Sequence, residues 1–277
     1  FDWRAALTFS SMRVVKIAIC VKQVPDSWAE KKMVSGRLDR DSVDAVLNDL
    51  DEYAIEEALR IIEPLNEGKE SPEHTITLIS MGPERATEAL RKGLSMGADS
   101  GILVSDAALQ GSDAISTAKV LAGVIQSGGF DLVFCGTEST DARMSVVPAM
   151  LAEILGWAQL TFAGSVKVDP ANRKVEIARM TDSGVENMSA NFPCVVSVIE
   201  KINEPRYPSF KGIMAAKKKP IENKSLGDIG VSASELSAWS EVVDSQARPP
   251  REKGVKLEDS GEGGSKLADY LLEKRLV

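Results

Sequence analysis

"HTITLISMGPERATEALRKGLSMGADSGILVS", residues 74–105, holds the alternation that decides the fold. "HTITLIS" (74–80) is a short β-branched run stopped by "MGP" (81–83). "ERATEALRKGLSMG" then reads as a helix closed by Gly97. "GILVS" (101–105) begins a second strand at once. Strand, helix, strand with short connections is the unit of a parallel sheet.

The pattern continues on both sides. "VVKIAICV" (14–21) is almost continuously apolar, as a strand covered on both faces requires. "LDEYAIEEALRIIE" (50–63) repeats Ala54, Ile55, Ala58, Leu59 and Ile62 at three- and four-residue spacing, an amphipathic helix. Ser112 or Asp113 can cap a helix running to about Ile125. "FDLVFCG" (130–136) is a further strand, and Met144 to Leu155 reads as a helix with Pro148 in its first turn. After Gly156, two strand-like runs flank "DPAN", a hairpin signal, and "PCVVSVIE" (193–200) adds another strand. The expected fold is α/β: an open, mainly parallel, Rossmann-like sheet with helices on both faces, plus a hairpin region and an extended C-terminal tail.

Residues 1–12 precede that pattern. Without a long apolar stretch or a small-residue cleavage site they read as an upstream extension or a cloning remnant, not a signal peptide. The α/β domain is expected over 13–220. Residues 221–277 read as a Ser-, Gly-, Pro- and charge-rich tail with too few apolar anchors for a core of its own. The tail ends in a short amphipathic helix with Leu267, Tyr270 and Leu271 on one side, a face that docks on its own domain or on a partner.

Composition excludes several functions. The 277 residues carry 33 Lys and Arg against 41 Asp and Glu, a net charge of -8, which argues against nucleic acid or an anionic membrane as partner. No run of 18 or more apolar residues exists to cross a bilayer. Cys20, Cys135 and Cys194 sit in apolar strand-like runs with no CxxC, which fits a reducing, cytoplasmic setting. The one histidine, His74, opens a strand and is expected to be partly exposed and structural. Asp39, Asp41, Asp44, Asp49 and Asp51 lack any metal-loop spacing and read as caps and a solvated helix face.

In open α/β sheets ligands bind beyond the C-terminal strand ends. "CVKQVPDSW" (20–28), Ser80 to Pro83 and "GTESTDARMS" (136–145) lie there, with helices expected near Glu84 and Ser145 to offer N–H groups to a phosphate. Neither GxGxxG nor GxxxxGK[ST] is present. Trp28 is a candidate to stack on a ring or to pack locally. "NEPRYPSFKGIMAAKKKP" (203–220) pins Tyr207 and Phe210 between prolines in a short non-helical segment, followed by Lys217 to Lys219. It is either a docking loop steered by Lys211 and Lys217–Lys219 or an ordinary loop before a charge run.

"ICVKQVPD", "LNDLDEYAIEEALR", "SMGPERATEALRKGLSMGAD", "FDLVFCGTESTD" and above all "NEPRYPSFKGIMAAKKKP" resemble the beta subunit of electron transfer flavoprotein, over roughly Val14 to Pro220. The ending "GEGGSKLADYLLEKR" is similar to actinobacterial members. The resemblance implies a heterodimer whose alpha subunit holds most of an FAD and receives the tail, with AMP in a structural role here. It implies electrons taken from acyl-CoA dehydrogenases and related flavin dehydrogenases of fatty acid β-oxidation and passed toward a quinone reductase, with no catalytic residues of its own. The family's AMP site falls on Ala18, Cys20, Asn48, Ser80, Gly82 and the 136–147 loop, including Gly136, Asp141, Ser145 and Val147. Its dehydrogenase-recognition loop falls on 206–213, with Arg206, Tyr207, Phe210 and Ile213. This chain departs from the family in Ser145 and Val147, where members carry Asn and Thr, and in Met180, where they carry Glu. It lacks the "GDTAQVG" of bifurcating relatives, so a second flavin is not expected. An adenine-nucleotide-binding enzyme or sensor of the nucleotide hydrolase type is the alternative.

Overall fold

The apolar runs become a nine-stranded sheet in the computed structural model, which describes residues 14–246, 249–251 and 253–277. In chain order the strands are β1 (Lys16–Cys20), β2 (Gln23–Pro25), β3 (Met33–Val34), β4 (Arg37–Leu38), β5 (Ala45–Leu47), β6 (Thr75–Met81), β7 (Ser100–Val104), β8 (Leu132–Gly136), β9 (Ala158–Asp169), β10 (Lys174–Thr181), β11 (Gly184–Asn191), β12 (Cys194–Val198) and β13 (Ile221–Lys224). The helices are α1 (Asp49–Asn66), α2 (Thr87–Met96), α3 (Ala114–Gly128), α4 (Val147–Leu155), α5 (Phe210–Ala216) and α6 (Gly263–Glu273). The large sheet runs β11-β10-β9-β12-β8-β1-β6-β7-β13, and only the pairings of β10 with β9 and β11 are antiparallel. The hairpin region therefore extends the parallel sheet. β2 with β5, and β3 with β4, form two small separate ladders.

Side chains alternate across each strand, so the sheet feeds two cores. Ile17, Ile19, Leu78, Phe134 and Val196 pack with Ile55, Ala58 and Leu59 of α1 and Leu90 and Leu94 of α2. Ala18, Ile79, Val133, Cys135 and Val195 pack on the other face with Val120, Leu121 and Val124 of α3 and Leu151 of α4. Asp113 caps α3 through a hydrogen bond from Ser116 N.

Several expectations change. His74 is buried, not partly exposed, because its Nδ1 accepts the Val15 backbone N–H at 3.0 Å and fastens the start of β1 beside β6. α4 begins at Val147, three residues later than Met144, because Ser145 is left-handed (φ 55) and cannot belong to a right-handed helix. The segment after Pro208 is helical: Ser209 accepts from Gly212 N and caps α5. The sheet does not end at Pro220. β13 adds an edge beside β7, and Leu226, Ile229 and Leu236 are buried in the second core. The larger unit accordingly runs to Val242, and a separate unit, Val243–Val277, contains α6. Among the described residues no helix is long and apolar enough to cross a membrane.

Candidate functional site

The loop 136–147 leaves the C-terminal end of β8, which lies beside β1, and it is braced by residues 90 and more positions earlier in the chain. Asn48, buried at the start of α1, donates through Nδ2 to Glu138 O (2.9 Å) and to Asp51 Oδ1 (2.9 Å) and accepts Thr140 N at Oδ1 (3.0 Å). Its amide is fully engaged with protein, so it shapes the loop instead of standing free toward a ligand. Asp51 also accepts Lys22 N at 2.8 Å. Burial dominates this carboxyl and lifts it to about 7, against the lowering pull of the Asn48 and Lys22 hydrogen bonds.

Asp141 anchors the loop's middle. Its carboxylate has no exposed side-chain surface and pairs with Lys22 Nζ (2.8 Å) and Arg40 Nη2 (2.6 Å). Burial alone would raise its pKa, but the Lys22 charge and hydrogen bond, with those of Ser139 and Arg40, outweigh it and hold the group at about 2. Asp141 is thus an ion-pair anchor. Gly136 has a packing reason: a Cβ there would lie 2.6 Å from Asp51 Oδ1 and 2.7 Å from the Leu50 carbonyl carbon.

The far end of the loop is the more exposed part, with Arg143 and Met144 exposed and Ser145 half-buried. Arg143 (φ 50) and Ser145 (φ 55) are both left-handed, a conformation that costs non-glycine residues about 1–2 kcal/mol each. Val146 offers α4 no side-chain cap, which leaves first-turn N–H groups without a side-chain acceptor. Ser145 Oγ donates to Glu138 Oε2 at 2.9 Å, and Arg143 lies 3.8 Å from the same carboxylate. Cys20 and Val147 are half-buried against the core on the α3 and α4 face.

The remaining predicted residues divide by face. Ala18 is wholly buried in the core, so Cys20 is the member of that pair with surface to offer. Ser80 is buried with an Oγ that has no hydrogen-bond partner. Strand alternation turns it away from Met81, which packs on the Cys20 and Val147 side. Of the strand-end residues Ser80 to Pro83, it is Met81 that strand parity puts on the same face as Cys20 and Val147. Gly82 N donates to Val104 O at 3.0 Å, closing the turn after β6. Trp28 is 95% exposed beside an open groove of about 430 Å³ lined by Asp26, Leu47, Glu52 and Lys92, so it is not local core. No metal-holding cluster of His, Cys, Asp or Glu occurs among the described residues.

A second surface lies at 203–219. Tyr207 is 95% and Phe210 80% exposed, and Ile213 and the unpredicted Met214 join them. Arg206 is instead held to α1, with Nε 2.7 Å from Glu56 Oε2 and its guanidinium also on Glu63. It braces the patch from beneath. Met180 lies over Gly164, whose Cβ would fall 2.8 Å from Met180 Cγ.

The family model for the electron transfer flavoprotein domain matches residues 35–229, a span that contains the loop 136–147 and the 203–219 surface. Electron transfer flavoprotein subunit beta of Mycobacterium tuberculosis is 45% identical over 272 residues, covering 95% of this chain and 100% of that protein. The chain belongs to the electron transfer flavoprotein beta-subunit family. Electron transfer flavoprotein subunit beta of Bradyrhizobium diazoefficiens (37% identical, 91% of this chain and 97% of that protein) and of Megasphaera elsdenii (34%, 94% and 97%) extend the likeness beyond the mycobacteria.

Proposed function

We propose that this chain is the beta half of a heterodimeric, flavin-containing electron carrier. Its alpha subunit holds most of the FAD, and its donors are acyl-CoA dehydrogenases and related flavin dehydrogenases of fatty acid β-oxidation. Electrons pass onward to a quinone reductase, and the carrier works in the cytoplasm. The observation that carries the donor-docking reading is the braced, exposed cluster of Tyr207, Phe210, Ile213 and Met214. Aromatic and Met side chains are the types enriched at interface cores, and a segment already fixed loses little entropy on docking. The bound flavin supplies the redox chemistry. The chain's own residues supply placement, and none is assigned an acid, base or nucleophile role.

AMP fits the cleft in part. The uncapped start of α4 and the left-handed Arg143–Ser145 backbone suit a phosphate. Cys20, Met81 and Val147 offer apolar surface to a base and ribose. Glu138 acts against an anion, and it already occupies the Ser145 hydroxyl. Backbone N–H groups, not the Ser145 side chain, would then hold the phosphate.

The test is co-purification with the alpha subunit, followed by a visible spectrum and chromatography of the released nucleotides. One FAD and one AMP per heterodimer support the reading. Two flavins would show that the missing "GDTAQVG" misled, and a colourless, unassociated chain would refute the carrier assignment.

A further inference from the structure

The patch-bearing helix α5 has seven residues, too few to be stable alone, and leaves its terminal carbonyls to be satisfied from elsewhere. The following turn serves Ala215 O and Ala216 O through the Lys218 and Lys219 N–H groups, and α2 adds a cation to Ala216 O and to the turn. Arg91 Nη1 donates to Ala216 O and to Lys219 O, both at 2.6 Å. Lys219 returns the contact: its Nζ donates to Leu94 O (3.1 Å), Gly97 O (3.1 Å) and Ala98 O (2.6 Å), the carbonyls at the end of α2. The C-terminus of α5 thus receives the Arg91 guanidinium from α2, and the C-terminus of α2 receives the ammonium of Lys219 from the turn after α5, where the helix dipole favours positive charge. These are charge-assisted bonds, stronger than neutral ones. Between the two cations the backbones nearly touch, since a Cβ on Gly212 would stand 2.6 Å from Ser95 O. The entry to the segment is fixed separately on α1, by Arg206 and by Asn203 Nδ2 on Tyr53 O (3.1 Å) and Glu57 Oε2 (3.0 Å).

We propose that Arg91 and Lys219 are positioning residues for the docking patch: their reciprocal capping sets the angle at which α5 presents Phe210, Ile213 and Met214 to a flavin dehydrogenase. This rests on the docking reading above and adds a residue, Arg91, that lies well over a hundred positions before the patch. It also reassigns Lys219. The third lysine of "AKKK" looks like part of a basic surface, yet its ammonium is turned inward onto α2, and burial depresses its pKa.

The experiment uses the purified heterodimer as electron acceptor for an acyl-CoA dehydrogenase reduced by its acyl-CoA. Arg91→Met and Lys219→Met are expected to raise KM for the carrier about tenfold, with kcat at saturation and flavin content changed less than twofold. Amide hydrogen exchange over 210–216 should quicken in both. Lys219→Arg, which keeps a cation on the α2 carbonyls, should recover most of the loss, and it covers the case in which the Met variants fold poorly. Phe210→Ala separates the two levels. If it leaves KM unchanged, the docking reading falls and the positioning role falls with it. If Phe210→Ala raises KM while Arg91→Met alters neither KM nor exchange over 210–216, the positioning role alone is overturned.

Discussion

Asp141 and Asp51 serve the same loop, yet their environments push them in opposite directions. Asp141 titrates at about 2 when folded against an ordinary 3.8, so the native state binds fewer protons between those values. Its contribution to stability is complete above pH 3.8 and is lost as pH falls toward 2. Asp51 titrates at about 7, so the native state binds more protons between 3.8 and 7, and its contribution is full below 3.8 and fades as pH rises to 7. Urea midpoints measured across pH should therefore show Asp141→Asn flattening the acid limb and Asp51→Asn flattening the limb toward neutrality. An acid limb unchanged by Asp141→Asn would mean that Lys22 and Arg40 do not hold the carboxylate as described. Gly136 gives a second expectation. Gly136→Ala forces a Cβ onto backbone and a buried carboxylate, an overpacking cost of about 1–3 kcal/mol. That lowers Tm by about 2–4 °C per kcal/mol. Gly264→Ala, with nothing within 4 Å, is the control that should leave Tm in place.

Elements were readable in the sequence to the degree that their own residues decide them. β8 is a continuous buried run, and β1 and β6 are β-branched runs buried at their centres on both faces, which suits central strands of a covered sheet. β11, "GVENMSAN", is polar and mostly exposed, and it becomes a strand because all eight residues pair with β10. α5 was hidden by its flanking prolines and needed the Ser209 cap and the α2 contacts to appear. The candidate site divides similarly. The loop after β8 could be placed from the rule for strand ends, but Asp141 finds its partners 101 and 119 residues away, beyond any local pattern. β13 has the most direct consequence. A chain ended after Pro220 would lose the edge strand and leave the second core without Leu226, Ile229 and Leu236. It is expected to be insoluble or to melt far lower, whereas a chain ended after Val242 keeps the full unit and its cooperative melt. Equal circular dichroism melts for the two would remove β13 and the following turns from the folding unit.

At the scale of the molecule, charge and apolar surface are separated in a way that bears on docking. The chain carries a net charge of -8, which by itself repels an acidic partner at long range. Lys211, Lys217 and Lys218 are exposed around the Phe210 and Ile213 patch, so the local field there is of opposite sign to the whole. Such a patch speeds encounter with an acidic face more than it adds affinity, and salt screens it over about 10 Å at 0.1 M. Electron transfer from a reduced dehydrogenase should then lose kcat/KM several-fold between low and high ionic strength, with kcat nearly constant. Lys217→Glu with Lys218→Glu should lower kcat/KM at low salt and abolish most of its salt dependence. Lys219 is not a member of this set, because its charge is spent on the carbonyls of α2, and Lys219→Met should leave the salt slope unchanged while raising KM at every salt. A salt slope that follows Lys219 and ignores Lys217 and Lys218 would reverse the division made here between the lysine that holds the patch and those that steer toward it.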